Sequence, residues 1–554
     1  MTWLSNGDRL HPDSRAPRPR WRVFSDCSPQ QLKRSAALAA AVVLAACVGA
    51  AGCGPAAGQT KPGPGGNAVK PEVKIVQAEG QATAWKTDLP PLERTVDLNV
   101  GESRDVELCD GRKAHVKLVS MQEIRDSLRQ AVRQARVKVE VNGQPTELIS
   151  ATYHLPVTVG GAQVDCPITK GYLVRGGNAW KLSGDARLRL WPAGGPWIEP
   201  GTLGCPVGQR WFASDTQMAN EPTFVDGVET PGAGRVYYHY GLDFGGAEYL
   251  TDVLSAADGL VVTAGNAQLA GYDGTPVEPR YGTVYVMDRR GWYHRYSHLA
   301  ALDDGVRPGA LVKMGQRLGA LGKEGDSGGW SHLHYQITTR QPSGQWGVQD
   351  GYAYAWQAYQ EQHRPKLLAV ARPHHFAWTG ETVRLDGSKS WSAAGQIAKF
   401  EWTFTDGAGA SGPQAERVYA KAGEYSEILR VTDTAGNVDY DFAVVQVIDK
   451  TKPEALPPAL HVTYYPTFGT RAGDELTLKA RCFGTTDGRE TWDFGDGSPP
   501  ATTKSDGCVE ALAKDGYAAV KHCYAKPGHY LVTVRRSNKD GLEAVMRVHV
   551  RVGQ

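Results

Sequence analysis

The sequence of 554 residues predicts a mainly β protein built from several domains. Two observations support this fold class. Runs that alternate apolar and polar residues, such as 137–141 before Asn142-Gly143, are typical of strands joined by hairpin turns. A motif with Trp and Phe that ends in Asp-Gly occurs twice, at 401–407 and 491–497, and indicates a repeated β unit. At roughly 100–200 residues per domain, the length allows about three or four domains.

Residues 1–53 are predicted to be an export signal with a lipidation site. Lys33-Arg34 precede an apolar run, 36–46, that is shorter than the roughly 20 residues of a membrane-spanning helix. The run ends in Leu44-Ala45-Ala46-Cys47, which resembles a lipobox, and Cys53 is a second candidate for lipidation. We therefore expect an exported lipoprotein, anchored in a membrane and facing the periplasm or the cell exterior.

Residues 54–90 are predicted to be a flexible tether, because 54–70 is rich in Gly, Pro and Ala. Such a tether would let an anchored enzyme stand away from its membrane. The formal net charge of +2 gives no electrostatic reason to expect nucleic acid as a partner.

Residues 91–200 are predicted to form a β-rich accessory domain without site residues. Strand-like alternation runs through most of 96–193, with a hairpin turn at Asn142-Gly143. One segment, Met121–Arg136, has helical character and is expected to interrupt the strands.

Six cysteines follow the signal segment, and in an exported protein they are candidates for disulfide bonds. They are Cys109, Cys166, Cys205, Cys482, Cys508 and Cys523. We expect bonds between Cys109 and Cys166 and between Cys508 and either Cys482 or Cys523, although spacing alone does not determine connectivity. The sequence contains no C-x-x-C pair, so a thiolate zinc site is not expected.

The central segment, residues 201–350, carries histidines in a pattern typical of a metal site. Read as one strand, 239–243 would place His239 and Asp243 on one face, with Gly241 leaving the space between them free of a side chain. His332 and His334 repeat this alternation. Two His and one Asp would give zinc three ligands and leave its fourth position open for water, as catalytic sites require.

A fifth candidate, His298, lies between these two motifs in the sequence. Once three side chains serve as ligands, two histidines remain, and imidazoles titrate close enough to neutral pH to transfer protons. No Glu of the H-E-x-x-H kind is present to act as the base. His294, one alternation before Tyr296, is interpreted as an ordinary strand residue.

These motifs resemble those of the lysostaphin/LytM-type zinc endopeptidases, which cleave peptide bonds in bacterial peptidoglycan. The likeness covers about Val207–Thr339, with H-x-x-x-D, Y-x-H-L and H-L-H at 239–243, 296–299 and 332–334. It implies an antiparallel β catalytic domain with Zn²⁺ as cofactor. It assigns His239, Asp243 and His334 as zinc ligands and His298 and His332 as the catalytic pair, whose separate roles stay open.

Two further expectations concern the surroundings of this site. Tyr237 or Tyr238 could donate a hydrogen bond to the developing oxyanion, and packing of an aromatic strand residue is the alternative. The segment Asn266–Arg280 is longer than the family's pattern and rich in Gly and Pro, so we expect a loop at the rim of the site.

The last third of the chain begins with a predicted helix, Tyr352–His363, that Pro365 ends. The repeated motif follows, and each copy is trailed by a matching Tyr-Ala-Lys-x-Gly stretch, at 419–423 and 524–528. Both copies resemble polycystic-kidney-disease-type (PKD) repeats. The resemblance implies immunoglobulin-like β-sandwiches, at 366–449 and 458–554, of which the second carries an insertion near 499–523.

The aromatic residues of these repeats are expected in the sandwich cores, because they alternate with polar residues. This favours a spacer role over binding of a carbohydrate or protein through exposed rings. Calcium binding at the Asp-rich turns is not supported by the number of acidic ligands.

The sequence therefore predicts an exported zinc metalloendopeptidase that acts on peptidoglycan cross-links. The alternatives are an inactive regulator or scaffold of wall hydrolases, and a wall-binding adhesin. The presence of all five site residues argues against the first.

Overall fold

The computed structural model describes residues 73–77, 85–150, 153–173, 177–216, 218–219, 222–224 and 236–553. Within these residues the regular secondary structure is almost entirely β, as predicted, with one α-helix and one short 3-10 helix. The signal and lipidation predictions, including Cys47 and Cys53, fall outside the described residues. No helix in the described part is both long and apolar enough to cross a membrane.

The stretch predicted as a tether is attached to the central domain wherever it is described. Strand β1 (Lys74–Val76) runs parallel to a strand at Ala267–Leu269, and the Trp85 Nε1 donates to the Asp288 carbonyl over 3.0 Å. This pairing satisfies backbone N–H and C=O groups that would otherwise be unpaired at the edge of the sheet. The prediction of a free linker is therefore wrong for these residues.

The accessory domain consists of two four-stranded antiparallel sheets that enclose one apolar core. Its strands are β2 (Arg94–Leu98), β3 (Ser103–Glu107), β4 (Lys113–Arg125), β5 (Val132–Val141), β6 (Gln144–Ser150), β7 (Val157–Val159), β8 (Ala162–Thr169) and β9 (Ala186–Pro192). The sheet orders are β2-β9-β8-β7 and β3-β4-β5-β6. The turn at Asn142-Gly143 is confirmed, with both residues at positive φ, 50° and 79°.

The helix predicted over Met121–Arg136 is wrong. Strand β4 continues through Arg125, a short loop follows, and β5 begins at Val132. Along β5, Val137 and Val139 are fully buried and the residues beside them are more exposed. Pairing with β4 and burial of alternate side chains outweigh the local preference for helix.

The central domain contains one large sheet and one small sheet around a shared core, and one further pair of strands. Its strands are β10 (Pro222–Phe224), β11 (Val236–Tyr238), β12 (Leu242–Gly245), β13 (Asp252–Leu254), β14 (Gly259–Ala264), β15 (Ala267–Leu269), β16 (Val284–Asp288), β17 (Tyr293–Ser297), β18 (Leu299–Leu302), β19 (Leu311–Val312), β20 (Arg317–Leu321), β21 (His332–Arg340) and β22 (Trp346–Gln349). The large sheet has the order β1-β15-β14-β16-β17-β21-β12, with β19 beside β14 and β22 beside β21; the small sheet is β13-β20-β18, and the further pair is β10-β11. The expected rim loop, 266–280, begins with β15 and is irregular only beyond it.

The helix predicted over Tyr352–His363 is confirmed as α1 with the same bounds. It ends at Arg364, whose left-handed backbone, φ 44°, lets its N–H bond the Gln360 carbonyl ahead of Pro365. Its rings pack around Trp211 and fix the helix to the central core.

Two β-sandwiches follow, as predicted. The first contains β23 (Leu367–Leu368), β24 (His375–Trp378), β25 (Thr382–Asp386), β26 (Trp391–Ser392), β27 (Ile397–Thr403), β28 (Gly409–Ser411), β29 (Gln414–Val418), β30 (Gly423–Asp433) and β31 (Val438–Ile448). The second contains β32 (Ala459–Tyr465), β33 (Glu475–Phe483), β34 (Glu490–Asp493), β35 (Ala501–Thr503), β36 (Ala518–Cys523), β37 (Gly528–Ser537) and β38 (Glu543–Val552). The motif aromatics, Trp402, Phe404, Trp492 and Phe494, are buried in the two cores, as expected.

The two sandwiches share one sheet. Strand β30 of the first pairs in parallel with β38 of the second, which joins both halves into a single nine-stranded sheet. Backbone pairing of this kind restricts the relative motion of the two domains.

The predicted disulfides are wrong, since all six cysteines in the described residues are free. Cys166 is buried in the accessory core, whereas Cys109 is exposed between β3 and β4. Cys482 is buried in the core of the second sandwich, whereas Cys508 lies in its insertion and Cys523 is exposed at the end of β36. The core thiols and the more exposed thiols lie in different surroundings, and no two of the six are bonded.

Candidate metal and catalytic site

Two of the predicted ligands face each other across paired strands. Asp243 on β12 is the direct antiparallel partner of His334 on β21, so both side chains leave the same face of the sheet. His332 lies two residues before His334 on that face, and Leu333 between them is fully buried on the other. The alternation predicted for 332–334 is confirmed.

The third predicted ligand, His239, reaches the site by a different route from the one expected. The strand predicted over 239–243 is interrupted, because β11 ends at Tyr238 and β12 begins at Leu242. The break occurs at Gly241, whose φ is +91°. A Cβ there would lie 2.8 Å from the Tyr335 carbonyl and 3.2 Å from His334 Nε2. These groups approach the backbone so closely that only glycine fits, which explains the space predicted to be free of a side chain.

The donor atoms of the three residues form a nearly equilateral triangle. His239 Nε2 lies 3.0 Å from His334 Nδ1 and 3.1 Å from Asp243 Oδ1, and the third edge, from His334 Nδ1 to Asp243 Oδ1, is 3.0 Å. Donor atoms about 2.0–2.1 Å from a tetrahedral zinc ion lie roughly 3.3 Å apart. The donor set and its spacing therefore fit zinc.

Neighbouring groups orient the two imidazoles for this task. His239 Nδ1 lies 3.4 Å from the Ala219 carbonyl, and His334 Nε2 lies 3.5 Å from Gln336 Oε1. Each acceptor favours a proton on the ring nitrogen that points away from the triangle. The other nitrogen of each ring then presents its lone pair to the triangle, as in known metal sites with oriented histidine ligands.

Electrostatics favour the protonation states that a metal needs. Burial would raise the pKa of Asp243, but the adjacent rings of His239, His332 and His334 hold it well below its usual range. Burial lowers the pKa of His334 to about 4. At neutral pH the site thus offers an anionic carboxylate and a neutral imidazole, the forms that bind metal.

The predicted catalytic pair lies beside the triangle and outside it. The ring of His298 is 4.6 Å from that of His332 and 6.1 Å from that of His334, measured between centroids. His332 Nε2 is 3.5 Å from Asp243 Oδ2. The structure therefore brings all five predicted site residues together.

Backbone carbonyls fix the orientation of this pair. His298, between β17 and β18 with φ 70°, places Nδ1 2.5 Å from the Glu324 carbonyl. His332 places Nδ1 3.0 Å from the Trp330 carbonyl. Each Nδ1–H donates, so in the neutral ring each Nε2 is free to accept a proton. Burial, together with His332 and His334, holds the pKa of His298 well below its usual range, so this ring is neutral at pH 7.

The two carbonyl groups were not predicted from the sequence. A backbone carbonyl has no residue-type signature, and Glu324 and Trp330 belong to a loop of irregular structure between β20 and β21. The available signal was the Gly328-Gly329 pair, both at positive φ, which marks a tight path just before His332.

The proposed oxyanion role is wrong for Tyr238, and the packing alternative is confirmed. Its side chain is buried, and its ring packs edge-on against Tyr172 of the accessory domain at 4.8 Å. Its hydroxyl accepts a hydrogen bond from the Val132 amide. The side chain of Tyr237 falls outside the described residues.

His294 has the structural role assigned to it. The ring is fully buried, its Nδ1 lies 2.8 Å from the Tyr335 hydroxyl, and its Nε2 lies 3.3 Å from Asp288 Oδ2. It supports the strand behind the site and does not reach the triangle's donor set.

Comparisons with known proteins agree with this arrangement. Residues 237–345 match peptidase family M23, and residues 363–447 and 459–550 each match a PKD domain. Collagenase ColA of Clostridium perfringens is 32% identical over 76 residues, which are 14% of this chain and 7% of that protein. The chain thus spans a small part of that relative's length.

Two solved structures show weaker likeness. A protein from Ruminococcus gnavus assigned as the glycyl-glycine endopeptidase lytM is 19% identical, with 28% of this chain and 61% of that chain covered and a TM-score of 0.17. Fibronectin(III)-like modules of Clostridium thermocellum CbhA are 14% identical, with 34% and 94% covered and a TM-score of 0.14. The family matches thus carry the assignment, and the chain contains a peptidase domain of family M23 followed by two PKD domains.

Proposed function

We propose that this protein is a zinc metalloendopeptidase that hydrolyses the peptide cross-links of bacterial peptidoglycan. The observation that carries the proposal is the triangle of donor atoms, 3.0–3.1 Å on each edge, with two further imidazoles beside it. Three protein ligands and an open fourth position are typical of a catalytic zinc site rather than a structural one.

The chemistry divides between the ion and the two histidines. A zinc ion bound by this donor set would act as a Lewis acid and make water nucleophilic near neutral pH. The Nε2 atoms of His298 and His332 accept and return the proton. One ring takes a proton from the attacking water, and a protonated ring gives one to the amine that leaves the cleaved bond.

The choice of substrate rests on the motifs and on the family of the peptidase domain. A pair of imidazoles beside a metal site suits hydrolysis of an amide, which needs both a base for water and an acid for a poor leaving group. Peptide cross-links of the wall present such amides outside the cell membrane. We accordingly propose an exported protein held to the membrane by a lipid on Cys47, with Cys53 as the second candidate.

Metal analysis tests the ligand assignment. The purified protein should hold one zinc ion at this site, and His239→Ala, Asp243→Ala or His334→Ala should each release it. His115→Ala, an exposed histidine of the accessory domain, is the control and should keep the ion. Full zinc occupancy in any of the three ligand variants would contradict the assignment.

Turnover tests the catalytic pair and the substrate. His298→Ala and His332→Ala should keep zinc and lose about 100- to 10,000-fold in kcat, the usual contribution of a general acid or base. Mass spectrometry of fragments released from purified peptidoglycan would identify the bond that is cut. A wild-type protein that holds zinc and releases no fragment would favour the regulator alternative.

The lipid anchor has its own test. Cys47→Ser should release the protein into the soluble fraction, and the intact mass of the wild type should include a diacylglycerol. A mass that places the lipid on Cys53 would move the anchor, and cleavage without lipid would remove it.

A further inference from the structure

One loop carries both carbonyl groups that orient the catalytic pair. This loop, residues 322–331, joins β20 to β21, and it places the Glu324 carbonyl on His298 and the Trp330 carbonyl on His332. A shift of the loop would turn both rings. Catalytic rate is sensitive to such displacements, because a misplacement of about 1 Å can cost about 100-fold.

The first half of the loop is fixed by a buried ion pair. The ammonium group of Lys323 bonds the carboxylate of Glu248, and both side chains are 1% exposed. The second PKD domain reaches this pair, since Lys479 Nζ donates to the Glu248 carbonyl over 2.9 Å.

The second half of the loop is held in large part by the second PKD domain, beside two hydrogen bonds that Ser331 makes with Gly246 of the peptidase domain. Arg481 Nη1 donates to the Gly329 carbonyl over 2.8 Å, and the Ser331 amide donates to the Tyr517 hydroxyl over 2.8 Å. The Trp330 ring stacks on Phe483 with 4.0 Å between centroids and 5° between planes. Three successive residues before His332 therefore contact another domain.

Arg481 is organised for this contact. Its side chain is fully buried, and its five N–H groups find five acceptors, of which four lie in the insertion of the second PKD domain. The four are both Asp506 carboxylate oxygens, at 2.9 and 2.6 Å, and the carbonyls of Glu510 and Ala511, at 2.8 and 2.7 Å. The fifth is the Gly329 carbonyl. The insertion thus holds the Arg481 guanidinium so that one of its N–H groups donates to the 322–331 loop.

The insertion is what distinguishes the two PKD domains. In the first, two residues separate β28 from β29, whereas in the second, residues 504–517 lie between β35 and β36. The insertion also fits closely against the loop. A Cβ on Gly329, whose φ is +87°, would lie 2.6 Å from Cys508 Sγ and 2.9 Å from Arg481 Nη1.

We infer that the second PKD domain is a structural part of the catalytic centre. Arg481, Phe483 and Tyr517 are positioning residues for His332, and Lys479 supports the half of the loop that orients His298. The inference rests on the proposed peptidase function, and it replaces the spacer role expected for this domain. The domain acts through the 322–331 loop and touches neither the donor triangle nor the substrate amide.

The test uses the full-length protein and Tyr517→Phe, which removes the hydroxyl that accepts from the Ser331 amide and also bonds His461 Nδ1. The kcat for peptidoglycan fragments should fall about tenfold, while KM and zinc content change little. Hydrogen exchange of the peptide spanning 322–334 should become faster. Tyr530→Phe removes a hydroxyl of the same domain that donates to the Lys526 carbonyl, away from the loop, and should leave every value unchanged.

A second variant, Phe483→Leu, removes the stacking on Trp330 and should give the same pattern if Tyr517→Phe does not fold. Unchanged kcat and unchanged exchange of 322–334 in a folded variant would overturn the inference. A wild-type protein without turnover would instead refute the proposed function. Exchange needs no turnover, so it would still decide whether the domain holds the loop.

Discussion

Mild acid should weaken the contact between the peptidase domain and the second PKD domain through His461. This side chain is fully buried, with Nδ1 2.7 Å from the Tyr517 hydroxyl and Nε2 3.2 Å from Thr216 Oγ1. Burial, with a smaller contribution from His332, lowers its pKa to about 3. The folded protein therefore keeps His461 neutral, whereas the unfolded chain protonates it below its ordinary pKa of about 6.5.

The sign and size of this effect on the unfolding free energy follow from proton linkage. Because the pKa is lower in the folded state, the stabilisation is complete above pH 6.5 and is lost as the pH falls toward 3. From pH 6.5 to 5 the loss is about 2 kcal/mol, at about 1.36 kcal/mol per pH unit. Asp215, whose carboxylate lies 3.9 Å away, has the opposite effect, since burial raises its pKa to about 7. The comparison of a His461 variant with the wild type isolates the contribution of the histidine to the pH dependence.

Urea unfolding at pH 7 and pH 5, followed by tryptophan fluorescence, measures the effect. The ring of Trp330 lies edge-on to that of His461, 5.4 Å between centroids, so it belongs to this interface. His461→Gln should reduce the loss of unfolding free energy between the two pH values by about 2 kcal/mol. His115→Gln, an exposed histidine, controls for the removal of a histidine as such. An equal loss in wild type and His461→Gln would refute the reasoning.

Three further predictions concern the site and its support. Gly241→Ala should weaken zinc binding about tenfold in a competition titration, because strain of about 1–2 kcal/mol falls on the segment that carries His239 and Asp243. Gly271→Ala is the control: its φ is similar but the space around it is open, so zinc binding should not change. Lys323→Met should lower the unfolding free energy by about 3–5 kcal/mol, since it leaves Glu248 buried without its partner, and an unchanged urea midpoint would contradict this. Because the described cysteines are free, dithiothreitol should leave the thermal midpoint unchanged, and a clear fall would reveal a disulfide.

The site was more predictable from the sequence than the details of the fold. Alternation along a strand placed His332 and His334 on one face without any tertiary information, and the register with β12 then brought Asp243 opposite. The helix predicted over Met121–Arg136 failed because the pairing of β4 with β5 depends on residues that local patterns do not include. The break at Gly241 likewise reflects close approach of another strand rather than a local preference.

The role of the second PKD domain shows where the repeat pattern loses its predictive power. The residues that identify the repeat, such as Trp492 and Phe494, point into the domain's own core and therefore predict a sandwich but no partner. The contacts with the 322–331 loop come instead from Arg481, from Phe483 and from the insertion, the part in which the two copies differ. Burying an arginine adds little to folding stability unless all its N–H donors have acceptors. Here the fifth acceptor belongs to the peptidase domain, so the stability of the insertion depends on the same contact that we infer to position the predicted catalytic pair.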